Sequence, residues 1–119
     1  MPSSEGSSLL HGTLDLLVLR ALSTSSMHGY GVARWIERTT GEVLRIEEGS
    51  LYPALHRLAR RGWVEPRWGV SENNRRARFY TLTPSGERQL QRETRDWTRF
   101  VAAVFAALEA PAEPAAPGD

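Results

Sequence analysis

The apolar periodicity of this chain changes twice between residues 50 and 84, from helical to alternating and back to helical, and few folds accommodate that order. Leu51, Ala54, Leu55 and Leu58 recur at helical spacing, which predicts a helix with one buried stripe. Ser50 is the expected N-cap, Pro53 falls in the first turn, and Gly62 is the expected stop after about Arg61. The runs Trp63 to Val70 and Arg75 to Leu82 then read as strands. In the second, Arg78, Tyr80 and Leu82 alternate with Ala77, Phe79 and Thr81. Ser71-Glu72-Asn73-Asn74 between them are turn formers, so the pair is expected to close as a β-hairpin. Thr83 as N-cap and Pro84 as first helical residue start a long last helix.

Upstream, Leu10, Leu14, Leu17, Val18, Ala21 and Leu22 define a first amphipathic helix that ends in Ser23-Thr24-Ser25-Ser26. Gly29-Tyr30-Gly31 opens a second, with Val32, Ala33 and Ile36 as its apolar positions and Gly41 as its stop. The β-branched stretch Val43-Leu44-Arg45-Ile46 predicts one short strand. In the last helix Leu90, Thr94, Trp97, Val101, Val104 and Leu108 alternate spacings of four and three, a heptad seam suited to a dimer interface. The expected organisation is a disordered N-terminus over 1–8, a folded unit over 9–83 that holds the first three helices and the hairpin, a dimerisation helix over 84–108, and a Pro/Ala-rich disordered tail over 109–119. A chain of 119 residues has room for one core. The fold class is mainly α with a small β-hairpin.

Composition excludes several functions. No apolar run reaches the roughly 20 residues of a membrane span, and Met1 to Ser8 lacks the pattern of a secretory signal, so a cytoplasmic location is expected. With no cysteine there is no disulfide framework and no thiolate metal site. His11, His28 and His56 stand on different elements without carboxylates at ligand spacing, so neither a metal nor another cofactor is expected. No Ser/His/Asp set can be assembled, so the chain is not expected to be an enzyme. Glu47-Glu48 reads as negative charge ahead of a helix N-terminus.

The net charge of +1 hides a strong asymmetry. Between residues 56 and 78, seven arginines (57, 60, 61, 67, 75, 76 and 78) oppose only Glu65 and Glu72, an excess of +5 that leaves −4 for the remainder. Such a block is either a solvated face or the footprint of a polyanion. The third helix favours the polyanion, because no acidic residue lies between Gly49 and Val64.

Three helices followed by a basic hairpin are the parts of a winged helix-turn-helix, whose third helix can enter a major groove about 12 Å wide. Four blocks occur in order: Gly12-Thr13-Leu14-Asp15; His28-Gly29-Tyr30-Gly31; Glu48 to Leu58, with Leu51-Tyr52-Pro53-Ala54-Leu55 at its centre; and Arg78-Phe79-Tyr80-Thr81-Leu82-Thr83-Pro84-Ser85-Gly86. Together the blocks resemble the PadR family of bacterial transcriptional regulators, over roughly residues 9 to 108. The resemblance implies a homodimer through the C-terminal helix, in the shorter branch of the family, that represses a promoter until a signal releases it. It also implies double-stranded DNA, as an inverted repeat, for a partner. Tyr52, His56, Arg57 and Arg60 are then the candidate groove and phosphate contacts, and Ser50 a further phosphate anchor.

Other readings stay open at this point. Tyr52 is alternatively a packed aromatic, Arg61 either a further DNA contact or a complement to the helix dipole, and Tyr30 either a phosphate contact or packing between helices. Arg75 and Arg76 at the wing tip are expected on phosphate or in the minor groove, with Asn73 and Asn74 as turn residues. Trp97 either packs in the interface or, with its symmetry mate, lines a cavity for a small-molecule effector of unknown identity. Two further functions compete with DNA binding: a winged-helix protein-interaction module, and a ligand sensor with incidental DNA contact.

Overall fold

A computed structural model describes residues 4–114, with side chains from Thr13 onward. Four helices, α1 (Ser4–Thr24), α2 (Gly29–Thr39), α3 (Glu48–Arg60) and α4 (Pro84–Leu108), surround a small antiparallel sheet. Its strands are β1 (Met27–His28), β2 (Val64–Val70) and β3 (Arg76–Leu82), in the order β1-β3-β2. The order of elements is that of a winged helix with one C-terminal helix.

The core forms where the apolar stripes of the first three helices converge on the inner end of the hairpin. Leu14, Val18, Leu19 and Ala21 from α1, Val32 and Ile36 from α2, and Leu51, Ala54, Leu55 and Leu58 from α3 are buried together with Val64 and Tyr80 of the sheet. Each large aliphatic side chain removed from water there contributes roughly 1.5–3 kcal/mol. Leu17, expected on the stripe of α1, is only partly buried, while Leu19 joins the core in addition. The side chain of Leu10 lies outside the described residues.

Local chemistry fixes where α3 and α4 end. Gly62 takes a φ of +77° directly after α3; its N–H donates to the Ala59 carbonyl at 3.0 Å, and the Trp63 N–H donates to the Leu58 carbonyl at 3.0 Å. This double closure is a Schellman cap, for which glycine is the favoured residue. Thr83 caps α4 by accepting the Gly86 N–H at 3.0 Å, with Pro84 in the first turn. Gly86 is buried against Trp63: a Cβ there would overlap the Trp63 carbonyl oxygen, which itself accepts the Thr83 N–H at 3.0 Å. The root of the hairpin and the root of α4 are thus locked together, and α4 extends from that point for roughly 37 Å.

Three expectations are corrected. Val43–Ile46 is no strand. Positive φ at Gly41 and Glu42 turns the chain, the Thr40 hydroxyl accepts the Leu44 N–H at 3.2 Å, the Glu37 carboxylate accepts the Ile46 N–H at 3.0 Å, and Ile46 plugs the core. Side chains thus satisfy backbone donors that a strand would have paired. The hairpin's third partner is instead β1, with Met27 opposite Tyr80 and His28 opposite Phe79. Ser50 is not the cap of α3, which starts two residues earlier with Glu47 at the cap position, so Ser50 lies in the first turn. At the N-terminus α1 is already helical from Ser4, inside the segment 1–8 expected to be disordered, since extending a nucleated helix costs little per residue; residues 1–3 lie outside the described residues. Beyond the C-cap Glu109 the described residues carry no regular structure, and residues 115–119 lie outside the description.

Candidate nucleic-acid interface

Helix α3 buries one face and presents another. With Leu51, Ala54, Leu55 and Leu58 turned into the core, Tyr52, His56 and Arg60, four residues apart, form an exposed line on the opposite side. Pro53 is exposed beside them. Arg57 stands off this line. Half-buried between α1 and α3, its guanidinium is 2.8 Å from the Asp15 carboxylate, 42 residues away in sequence. Arg61, at the C-cap, lies with its guanidinium 5.2 Å from the centre of the Trp63 ring. Ser50 is half-buried in the first turn.

The start of α2 supplies the next part. His28 caps α2: its Nδ1 accepts the Gly31 N–H at 3.0 Å, which leaves Nε2, 3.5 Å from the Glu72 carboxylate, as the donor toward the wing tip. Its ring meets the edge of Phe79 at 5.3 Å and stacks on Tyr30 at 6.4 Å. Tyr30 is 69% exposed, so it projects from α2 and does not fill the space between α2 and α3. That space belongs to Tyr52, whose ring lies over Gly29 so closely that a Cβ at Gly29 would come within 2.8 Å of it. Tyr52 is therefore packed on one side and 38% exposed on the other. Glycine at position 29 is what lets the two helices share this aromatic.

The hairpin completes the surface. Register pairs Trp68 with Arg78 and Val70 with Arg76, and these four sit on the same sheet face as Val64, Pro66, Tyr80 and Leu82. Near the body that face is core; further out it passes beyond the helices and is exposed. Asn74 at φ +58° closes the turn, with the Ser71 N–H on the Arg75 carbonyl at 2.8 Å. Arg75 is exposed at this tip, and Arg67, on the other face, pairs loosely with Glu65 at 3.4 Å. Burial pushes the Tyr80 hydroxyl above its ordinary pKa, partly offset by the Arg78 charge.

Between the hairpin, the first turns of α2 and Tyr52 lies an open cleft of about 930 Å³. Arg34 and Arg38 of α2 line it opposite Arg76 and Arg78. Among the described residues Arg34 pairs with Glu37 at 3.1 Å, whereas Arg38, Arg75, Arg76 and Arg78 make no ion pair. Sequence reasoning missed Arg34, Arg38 and Trp68. The two arginines lie outside the basic block, although their spacing of four on a helix was a usable sign; Trp68 was read only as part of a strand.

A second surface lies on α4. Leu90, expected on the dimer seam, is buried within its own protomer, and Thr94 is exposed. Beyond them Trp97, Val104 and Leu108 are exposed and Val101 is half-buried; Phe100 and Phe105, not expected there, widen the stripe to a continuous apolar face. The Trp97 and Phe100 rings meet at 5.6 Å. No described helix is long and apolar enough to cross a membrane.

Comparisons with known proteins agree with this arrangement. The chain is 39% identical over 91 residues to an uncharacterized 37.1 kDa protein in transposon TN4556 of Streptomyces fradiae, covering 76% of this chain and 25% of that protein. It is 25% identical over 84 residues to the negative transcriptional regulator PadR of Bacillus subtilis strain 168, covering 71% of this chain and 44% of that one. The chain therefore spans less than half the length of either relative. The solved structure of a PadR family transcriptional regulator from Eggerthella lenta superposes with a TM-score of 0.74 at 28% identity, covering 91% of this chain and 92% of that one. The model of the transcriptional regulator PadR-like family matches residues 18–92, which takes in α2, α3, the whole wing and the root of α4. The chain belongs to the PadR-like family, a family of transcriptional regulators and not of enzymes.

Proposed function

We propose that this regulator is a repressor that binds an inverted-repeat operator in double-stranded DNA as a homodimer. The observation that carries the reading is the cleft: arginines 38, 76 and 78, free of ion pairs among the described residues, line it together with Tyr52, the first residue of the exposed line Tyr52, His56 and Arg60. Guanidinium groups without a carboxylate partner are matched by phosphate, and a helix about 10–12 Å across fits a major groove. In this reading His56 and Arg60 reach base edges, and Tyr52, Tyr30, Ser50 and Arg61 support the phosphate contacts. Arg75 and Arg76 follow the backbone from the wing. Arg57 is a positioning residue that Asp15 holds against α1. The apolar face of α4, with Trp97, Val101, Val104 and Leu108, pairs with the same face of a second copy. Repression is supported by the word negative in the name of the Bacillus subtilis relative. A protein that acts on a promoter works where the chromosome is, in the cytoplasm.

Binding to a random-sequence duplex, followed by anisotropy through a salt series, tests the reading. Each neutralised phosphate contributes about −0.9 to the slope of log K against log salt, so a dimer using Arg75 and Arg76 of both wings is expected to show a slope of about −3.6 or steeper. Absence of binding at low salt, or a flat slope, contradicts it.

A further inference from the structure

The exposed indole of Trp68 has no part in the core and none in the contacts proposed above. It is 54% exposed on the outer reach of the wing's inner face, opposite Arg78 in register and diagonal to Arg76. The Arg76 guanidinium carbon lies 4.5 Å from the ring centre and that of Arg78 lies 5.6 Å from it. Neither arginine has an ion-pair partner among the described residues, and both line the cleft that faces α2 and Tyr52, as does Trp68 itself. One indole therefore holds two cations at the edge of the cleft, on a hairpin whose tip meets the body, among the described residues, through the pair of Glu72 and His28.

We infer that Trp68 is the positioning residue of the wing, an aromatic platform that pre-orders Arg76 and Arg78 for phosphate. The inference rests on the DNA-binding reading and deepens it. An arginine reaching phosphate from a free rotamer ensemble loses that freedom on binding. An arginine already lying on an aromatic face has lost part of it beforehand, and the indole attracts the cation without neutralising it. A carboxylate in the place of Trp68 would order the same arginines but cancel the charge that phosphate needs. The indole orders them and leaves the charge intact.

Two measurements test this. In the free protein, the ring current of Trp68 should move the side-chain proton resonances of Arg76 and Arg78 upfield, and Trp68→Ala should return them to ordinary positions; ordinary positions in the unsubstituted chain would overturn the inference without any reference to DNA. In binding, Trp68→Ala should weaken a random duplex and a selected palindrome alike, by roughly five- to thirtyfold for each wing engaged, with the salt slope unchanged because both arginines remain. Trp68→Phe, which keeps an aromatic face, should recover most of the loss. Arg76→Ala, by contrast, should lower the slope by about 0.9 for each wing, or about 1.8 for the dimer. Unchanged affinity in Trp68→Ala would overturn the inference, as would loss on the palindrome alone, which would make the indole a base reader. Failure of the DNA reading is distinguishable, since the unsubstituted chain would then bind neither duplex.

Discussion

Arg57 and Arg60 are three residues apart on one helix and differ in what holds them. Arg57 is bound to Asp15 at 2.8 Å, whereas Arg60 is exposed on the outward line with no ion pair among the described residues. A partly exposed ion pair of this kind contributes up to about 1 kcal/mol to stability. Arg57→Ala and Asp15→Asn are each expected to cost about that much in urea denaturation, and the double substitution less than their sum. Arg60→Ala should leave stability within about 0.5 kcal/mol and cost roughly 1–3 kcal/mol on the preferred duplex, relaxing the preference at one position. Base-specific loss in Arg57→Ala with no change in stability would reverse the two roles. The sequence showed that both arginines avoid the buried stripe, since that follows from spacing alone. It could not show that Asp15, one helix and 42 residues away, would take one of them, because that pairing depends on how α1 crosses α3.

At the scale of elements, what was legible in the sequence was whatever is set by neighbours in the chain. The start of α4 at Pro84 was legible because Thr83 and Pro84 form a local cap. The hairpin was legible because its alternation and its turn lie within a few residues of each other. β1 was not, since two residues become a strand only by pairing with Tyr80 and Phe79 more than fifty residues later. The residues 43–46 were misread because β-branched composition speaks for a strand only when a sheet edge is within reach. The joint between wing and α4 gives an element-level prediction. Gly86→Ala drives a methyl into the Trp63 carbonyl and should cost about 2 kcal/mol or more, read as a lowered midpoint in denaturation. Gly49→Ala, in the first turn of α3 with open space around it, should instead stabilise by about 0.4–1 kcal/mol. Equal effects at the two glycines would show that the close approach at Gly86 does not fix α4.

At the scale of the whole molecule, two copies are proposed to meet through α4 and to read two half-sites related by the same two-fold axis. Of the heptad positions expected at the dimer interface, Leu90 is buried in the protomer's own core. The free portion runs from Trp97 to Leu108 and includes Phe100 and Phe105, an apolar area that a lone helix would leave in water. An isologous pairing of that face would relate the two copies of α3 by a two-fold axis, and two-fold protein symmetry demands a two-fold site. Selection of the full chain on a pool of random duplex DNA is the most direct test. Inverted repeats should be recovered, with half-sites about 34–36 Å apart or a multiple of that distance, and the paired half-site should be lost when Trp97→Glu and Val101→Glu are introduced together. Recovery of asymmetric single sites by the unsubstituted chain, or no enrichment at all, would contradict the proposal.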